Sequence, residues 1–387
     1  MRIAKIKVNN FKSLVDFEID LSKFNCIVGL NGSGKSTFLQ FVSFLSQLMK
    51  GNIGSWFQKR KWGTEDIVPH FDNKTNRTVH FEIQFQYNSR QGAWSCEYSV
   101  DNSRCISEEL TLGDDRLEVF SRQGQPGKYT FNDRSEKINF SYQGSILSQL
   151  ADKDVTEVFG KLVHYFRSIH SFDPLSPYYL KQRSKVSSGS IGLGGEDLAP
   201  FVFELKDRRS DVIRKIKTVY PEFNSFGSSI HPDGTKQLTI DEQYRNGDIT
   251  YTVPARIAND GVLRVIAMLA QMLEKDAFLL FDEIENGINQ ELVEFLLKEL
   301  VEAKQQIVVT THSPMFLNYL DDDLARESVH YFYKTPEGFT RCRKFFSIPS
   351  TSKKLGTLGP GEAIADTNLY RLNEEIEKLD YNEKKEN

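Results

Sequence analysis

The spacing of apolar residues over the first 150 positions changes from strand-like to helical and back again. Residues 1–28 predict two strands, the second of which ends in the apolar run Phe24–Val28. Apolar residues at helical spacing over 38–48 predict a long helix. Strict alternation over 79–87 predicts a half-buried antiparallel strand, and short strand-like runs continue to about residue 142.

The middle of the chain mixes helical spacing with turn-forming residues. The apolar positions of 155–166 predict one amphipathic helix, whereas 171–195, rich in Ser, Gly and Pro, predict an exposed loop. A helix is expected over 196–220. Strands are expected around 228–253, with a hairpin turn at Asn246-Gly247.

The last third alternates helices with short apolar strands. The predicted segments are helices over 259–274, 289–303 and 313–320 and strands over 277–281 and 306–310. Such alternation is typical of an α/β fold in which helices cover a parallel sheet. The polar tail from Asn382 is expected to fray.

Composition and charge exclude several classes of protein. The chain has 49 Lys and Arg against 53 Asp and Glu, so its net charge of −4 gives no global attraction for nucleic acid, which would need a local basic patch. No apolar run reaches the roughly 20 residues that span a bilayer, and the amino terminus has no hydrophobic signal core. We therefore expect a cytoplasmic protein with no membrane partner. The four cysteines show no zinc spacing.

A glycine-rich turn between a predicted strand and a predicted helix carries the strongest chemical signal. Residues 29–36 fit the phosphate-loop pattern GxxxxGK[ST]; the alternative is a glycine turn that merely begins a helix. Glycines let backbone N–H groups converge on phosphate oxygens, Lys35 supplies a mobile charge, and the Ser36 hydroxyl suits Mg²⁺. The predicted ATP-binding residues are Asn31, Gly32, Ser33, Gly34, Lys35, Ser36 and Thr37.

Two later apolar strands end in polar residues. Phe278–Phe281 is followed by Asp282 and Glu283, which at the carboxyl edge of a sheet would hold Mg²⁺ and activate the attacking water, respectively. A second run, 307–309, leads to His312, predicted to act as a switch beside the γ-phosphate. The alternatives are a strand that ends in a polar turn and a structural histidine.

Together these residues resemble the stand-alone ATPases of the ABC/SMC class, which include RecF-like proteins and the OLD family. The resemblance rests on the opening segment, on LLFDEIENGI and on VVTTHSPMFL. It implies an α/β P-loop NTPase of ABC-ATPase type, with a mixed or parallel sheet flanked by helices. The implied ATP-binding core comprises 1–70 and 255–387, with an antiparallel β lobe at 71–145 and an inserted helical and β subdomain at 146–254.

The resemblance also implies a site shared between two chains. In this class a signature sequence reaches across a dimer interface to the partner's γ-phosphate. The matching positions here are Asn259 and Gly261, with Asn where Ser is usual; a plain helix cap is the other interpretation of Asn259. A homodimer or higher oligomer that sandwiches ATP is therefore expected. Gln84, Gln86 and Gln143 stay open as the glutamine of the class.

OLD-type nucleases add a metal-binding Toprim domain, which is not expected here because too few residues follow Leu320. Asp321-Asp322-Asp323 predict a solvated turn rather than a metal site, since three adjacent acids cannot all face one ion. Class members of this length often serve as the sensing ATPase of bacterial anti-phage systems. A separate effector protein, a nuclease or toxin, is therefore implied.

Two other functions stay open. One is a RecF-like ATPase that binds DNA in repair. The other is the nucleotide-binding subunit of a membrane transporter, against which the absence of Leu-Ser-Gly-Gly-Gln argues. Nucleic acid would bind at local basic clusters, and the candidates are Lys59-Arg60-Lys61-Trp62, Lys181 with Arg183 and Lys185, and Arg208-Arg209.

Overall fold

The computed structural model describes residues 1–70, 77–120, 127–132, 134–150 and 156–386. The strands are β1 (Arg2–Asn9), β2 (Phe17–Asp20), β3 (Phe24–Val28), β4 (Thr78–Tyr87), β5 (Arg90–Ser99), β6 (Arg104–Leu112), β7 (Asp115–Phe120), β8 (Lys128–Phe131), β9 (Arg134–Lys137), β10 (Ile169–Phe172), β11 (Phe223–Ile230), β12 (Lys236–Tyr244), β13 (Ile249–Pro254), β14 (Phe278–Phe281), β15 (Gln306–Thr310), β16 (Val329–Lys334) and β17 (Thr340–Lys344). The helices are α1 (Lys35–Lys50), α2 (Ile53–Arg60), α3 (Glu157–Arg167), α4 (Pro177–Leu180), α5 (Leu198–Leu205), α6 (Ser210–Ile216), α7 (Asp260–Gln271), α8 (Gln290–Glu302), α9 (Pro314–Leu317), α10 (Asp322–Ser328), α11 (Pro349–Leu355), α12 (Pro360–Ala365) and α13 (Leu369–Glu386).

The chain divides into two compact units. The first comprises residues 1–169 and 320–387, and the second comprises residues 170–319. The three-part domain division expected from the resemblance stays a prediction. None of the helices within the described ranges has both the length and the apolar character needed to cross a bilayer.

An antiparallel sheet in the first unit has the strand order β2-β1-β4-β5-β6-β7-β8-β9. In β4, Val79, Phe81, Ile83 and Phe85 are buried while the residues between them are partly exposed. The strand predicted from strict alternation is therefore confirmed. The alternation arises because one face of the sheet packs on the core and the other meets solvent.

Helix α1 packs its apolar residues beneath this sheet. It ends at Gly51, whose φ of 65° and N–H bonds to the carbonyls of Gln47 and Leu48 form a left-handed cap. Ring pairs join the helix to its surroundings, with centroid distances of 5.3 Å for Phe11–Phe41 and 4.9 Å for Phe44–Tyr98. Beyond α1 in the first unit, β3 pairs in parallel with β16, and β17 pairs antiparallel to β16.

In the second unit, β14 lies between β10 and β15 and pairs in parallel with β15. All residues of β14 and β15 are buried, as expected for strands covered on both faces. A separate antiparallel sheet, β11-β12-β13, contains the predicted hairpin, with a short 3₁₀ turn at Arg245–Gly247 between β12 and β13.

Three sequence-based boundaries were wrong. Residues 1–28 form three strands rather than two. The helix predicted over 196–220 is interrupted by a 3₁₀ turn at Lys206–Arg209, where Lys206 has a φ of 48° that a continuous helix cannot accommodate. The last helix, α13, continues past Asn382 to Glu386.

The segment 171–195, predicted as an exposed loop, is partly buried. It contains the end of β10 and the whole of α4, and the side chains of Leu180 and Ile191 are fully buried. The Ile191 N–H also donates to Gln271 Oε1 on α7 at 3.1 Å. Ser, Gly and Pro supply the turns of this segment, while a few apolar residues attach it to the core. Val155, placed by the sequence in the helix over 155–166, lies outside the described residues.

Candidate functional site

The predicted phosphate loop lies between β3 and α1, and its carbonyl groups accept hydrogen bonds from the lysine of the same motif. Lys35 is 6% exposed, and its Nζ donates to the carbonyl oxygens of Gly29 (2.9 Å) and Leu30 (3.2 Å). Gly29 has a φ of 153°, and a Cβ there would lie 2.3 Å from the carbonyl oxygen of Phe332 on β16. Glycine is therefore required at this position, because any side chain would push the loop away from the sheet.

The first turn of α1 faces the same loop. The backbone N–H groups of Gly34 and Thr37 belong to the helix start, where no intrahelical acceptor exists, and the first intrahelical bond runs from Phe38 N to Gly34 O. Gly32 has a φ of 77° and open space where a Cβ would project. The Ser33 hydroxyl, in contrast, is buried and, among the described residues, has no hydrogen-bond partner. A cation, hydroxyls and amides thus occur together, which suits a bound triphosphate.

The turn that carries the two acidic residues after β14 is held by a residue that no motif marks. Thr310, the last residue of β15, is fully buried; its hydroxyl donates to Asp282 Oδ1 and accepts the Glu283 N–H at 2.9 Å. The Ile284 N–H donates to the Thr310 carbonyl at 3.1 Å. On the other side, the Asp282 N–H donates to the Phe172 carbonyl of β10. The only signal for Thr310 in the sequence was its place at the end of an apolar run.

Glu283 has an unusual backbone conformation. Its φ is 49°, in the left-handed region that non-glycine residues seldom adopt and that often marks functional sites. The bond from Glu283 N to Thr310 holds this turn, and Asn286 Nδ2 lies 3.5 Å from Glu283 Oε2. The carboxylate is partly exposed, unlike that of Asp282, which is 9% exposed. Water can therefore reach Glu283, as a general base for hydrolysis requires.

The His312 segment is joined to the same turn by a second bond. The His312 N–H donates to Glu285 Oε1 at 2.8 Å, and the His312 side chain is exposed. Within the second unit, the ends of β14 and β15 are thus linked in both directions: Thr310 bonds Asp282 and Glu283, and Glu285 bonds His312. These contacts bring together Asp282, Glu283 and His312, three of the predicted site residues.

Asn259 and Gly261 lie at the start of α7 beside the turn that follows the carboxylates. Asn259 is exposed, and its Oδ1 accepts the Val262 N–H at 3.1 Å, so the residue caps the helix. A Cβ on Gly261 would lie 3.2 Å from the Gly287 carbonyl oxygen. The cap uses the Oδ1 of Asn259 and not its amide nitrogen, and the contact with a partner's phosphate stays a prediction.

A buried arginine packs against this turn. Arg264 is 6% exposed; its Nε donates to the Leu175 carbonyl at 2.8 Å, and burial lowers its pKa while nearby Asp260 raises it. Gly287 has a φ of 65°, and a Cβ there would lie 1.8 Å from an Arg264 guanidinium nitrogen. Arg264 therefore requires glycine at position 287 and fixes the turn against α7.

The basic clusters contact other parts of their own chain. Lys12 Nζ lies 3.4 Å from the centre of the Trp62 ring, and Arg60 lies 5.1 Å from the same ring. Burial, with the charge of Arg60, lowers the pKa of Lys12 to about 8. One face of the Trp62 ring, in a cluster predicted to bind nucleic acid, is thus occupied by Lys12.

The other clusters behave similarly. Lys181 pairs with Asp260 at 2.5 Å, and Arg208 donates to the Leu273 carbonyl at 2.7 Å. The Asp321-Asp322-Asp323 run begins α10, with Asp321 capping the helix through the Leu324 N–H at 2.8 Å. The three acids are exposed, as expected, but they begin a helix rather than form a turn.

A family model described as "AAA domain, putative AbiEii toxin, Type IV TA system" matches residues 24–318. This range contains the phosphate loop, both carboxylates and His312. The chain is also similar to an OLD nuclease of Thermus scotoductus, with 23% identity over 344 residues, which cover 81% of this chain and 59% of that protein. The chain therefore spans about three fifths of the length of this relative.

The chain is also similar to solved structures of SMC heads, the first of which shares its fold. A crystal structure of an SMC head bound to the C-terminal winged-helix domain of ScpA has a TM-score of 0.53 and 16% identity, covering 89% of this chain and 98% of that one. An SMC head with an extended coiled coil bound to the C-terminal domain of ScpA, from Pyrococcus furiosus, has a TM-score of 0.49 and 14% identity, covering 88% and 95%. The family match shows that the chain belongs to the AAA-domain family named above, and its fold is that of an SMC head.

Proposed function

We propose that the chain binds and hydrolyses Mg²⁺-ATP and acts as a dimeric switch in a bacterial anti-phage defence system, together with a separate effector protein. The observation that carries the ATPase part is the linked pair of strand ends. Thr310 fixes Asp282 and Glu283, and Glu285 fixes His312, in a chain whose phosphate loop has the matching motif.

The roles of the individual residues follow from their chemistry. Lys35 and the amides of residues 31–37 bind the phosphates, and Ser36 and Asp282 supply the hard oxygen ligands that Mg²⁺ prefers. Bound there, Mg²⁺ would offset the negative charge of the phosphate oxygens. Glu283 orients the attacking water and takes its proton, while His312 senses the γ-phosphate.

The switch part of the proposal rests on Asn259, the exposed residue that caps α7; Gly261, two positions further on, is buried. Asn259 and Gly261 reach the nucleotide held by a second copy, where the positive end of the helix dipole favours phosphate. ATP binding then closes the dimer and hydrolysis opens it, so that the conformation of the dimer depends on the bound nucleotide. Support for a defence role comes from the family description, which names a toxin of a type IV system, and from the similarity to a nuclease.

The first test is the replacement Lys35→Ala. Because the phosphates lose the charged group of the loop, we expect affinity for Mg²⁺-ATP to fall roughly 10- to 100-fold, as for other hydrogen bonds to charged groups. Isothermal titration calorimetry measures the change. Lys50→Ala, at the opposite end of the same helix, is the matched control and should bind like the wild type. Equal affinity of wild type and Lys35→Ala would overturn the phosphate-loop assignment.

A further inference from the structure

Behind the phosphate loop lies a buried polar cluster that no motif marks. Thr340, the first residue of β17, is fully buried, and its hydroxyl donates to the Ser33 carbonyl at 3.0 Å. The same oxygen lies 2.8 Å from Ser13 Oγ and accepts from Lys334 Nζ at 3.1 Å. The Thr340 N–H also donates to the Ser13 carbonyl at 2.8 Å.

The direction of each hydrogen bond in the cluster is determined. A threonine hydroxyl has one proton, and the Thr340 proton is given to Ser33 O, since a carbonyl can only accept. Ser13 and Lys334 must therefore donate to Thr340. A hydroxyl that accepts two bonds is polarised and becomes a better donor, which strengthens the bond to Ser33 O.

This bond sets the orientation of one peptide group in the loop. A trans peptide is planar, so the carbonyl of Ser33 and the N–H of Gly34 point in opposite directions. With the Ser33 carbonyl turned towards Thr340, the Gly34 N–H is directed away from the Thr340 hydroxyl. Gly34 has a φ of 105°, and a Cβ there would lie 2.2 Å from Thr340 Oγ1, so only glycine permits this contact.

We propose that Thr340 is a positioning residue for phosphate binding: with Ser13 and Lys334 as its donors, it aims the Gly34 amide at the nucleotide's phosphates. This inference rests on the proposed ATP-binding function. Thr340 and Lys334 both lie outside residues 24–318, the range matched by the family model. Partial burial of Lys334 lowers its pKa to about 8, and its Nζ also donates to the Gly338 carbonyl at 2.9 Å.

The test compares Thr340→Val with Thr340→Ser. Valine has nearly the same shape but no hydroxyl, so the Ser33 peptide is no longer fixed; serine keeps the hydroxyl. We expect Thr340→Val to bind Mg²⁺-ATPγS about five- to tenfold more weakly, the range for loss of one hydrogen bond, and Thr340→Ser to bind within about twofold of the wild type. Calorimetry gives the affinities, and thermal unfolding confirms that the variants are folded.

The outcomes separate the two proposals. If the wild type binds Mg²⁺-ATPγS and a folded Thr340→Val binds equally well, the positioning role is wrong while the ATPase proposal stands. If Thr340→Ser is as weak as Thr340→Val, the hydroxyl is not responsible and the role is also wrong. Should Thr340→Val fail to fold, Ser13→Ala decides: about threefold weaker binding supports the role, and unchanged binding overturns it. A wild type that does not bind ATP would overturn the ATPase proposal and this inference with it.

Discussion

At the scale of single residues, the candidate site depends on side chains that hold other groups in place. Thr310 joins the backbone of Glu283 to the carboxylate of Asp282, and Glu285 holds the His312 backbone. The left-handed backbone of Glu283 costs of order 1–3 kcal/mol in isolation, and this bond network is what maintains it. The backbone from which the Glu283 carboxylate projects is thereby fixed beside Asp282.

Glu283→Gln should retain ATP binding but slow hydrolysis by roughly 100- to 10,000-fold, because an amide cannot accept the proton of the attacking water. Phosphate release under saturating Mg²⁺-ATP measures the rate, and calorimetry checks binding. Since the ATP-bound form then persists for longer, light scattering should also show a larger, closed species. Hydrolysis at the wild-type rate would place the base elsewhere, with Glu285 as the next candidate.

At the scale of elements, a buried carboxyl group connects the antiparallel sheet to the end of α1. Glu108 of β6 is 2% exposed and accepts hydrogen bonds from Trp94 Nε1 (2.9 Å), Ser145 Oγ (2.5 Å) and Ile146 N (3.2 Å). Ser145 in turn donates its N–H to the Leu48 carbonyl at 2.9 Å. Burial raises the pKa of Glu108 to about 7, against the opposing effect of these three donors.

The raised pKa makes stability depend on pH. Between pH 4.5 and about 7, Glu108 is protonated in the folded state but ionised in the unfolded state. The stabilisation from this group is therefore complete below pH 4.5 and is lost as the pH rises through about 7. Glu108→Gln does not titrate. As the pH rises from 4.5 to 8, the wild type should lose up to about 3 kcal/mol of its free energy of unfolding relative to Glu108→Gln.

Urea unfolding of both proteins across this pH range measures the difference. Glu109→Gln, at the neighbouring and partly exposed position of β6, is the control and should follow the wild type more closely. A constant difference between wild type and Glu108→Gln at all pH values would show that Glu108 is ionised throughout.

At the scale of the whole molecule, the proposal requires two chains to complete one site. The mixing experiment uses Asn259→Asp, because aspartate keeps the helix cap on Val262 N while placing a negative charge against the partner's γ-phosphate. A substitution at Gly261 would be less informative, since its Cβ would press on Gly287 of the same chain.

Lys35→Ala and Asn259→Asp should each be nearly inactive alone. Their mixed dimer contains one site built from the intact phosphate loop of the Asn259→Asp chain and the intact α7 of the Lys35→Ala chain. We therefore expect hydrolysis to recover to roughly a quarter of the wild-type rate, because half of the dimers in an equal mixture are mixed and each has one of two sites. Asn259→Ser, neutral and still a cap, is the control that should stay active. Normal hydrolysis by Asn259→Asp alone would contradict a site shared between chains.

Much of the fold followed from local patterns. The alternation in β4 and the apolar runs of β14 and β15 were sufficient, because burial on one face or on both leaves a direct trace in the sequence. The break at Lys206–Arg209 and the burial of Ile191 left no such trace. Both depend on contacts with residues far away in the sequence, and the local spacing of apolar residues does not contain that information.

The sequence by itself determined the chemistry of the candidate site, because a phosphate loop needs glycines, a lysine and a serine at fixed spacing along one turn. Only the tertiary structure decided how that chemistry is held. Thr310 bonds a residue 27 positions away, and Thr340 bonds one 307 positions away. A threonine at the end or the start of a strand is common, so neither was distinguishable until the fold placed its hydroxyl within 3.0 Å of the backbone that it fixes.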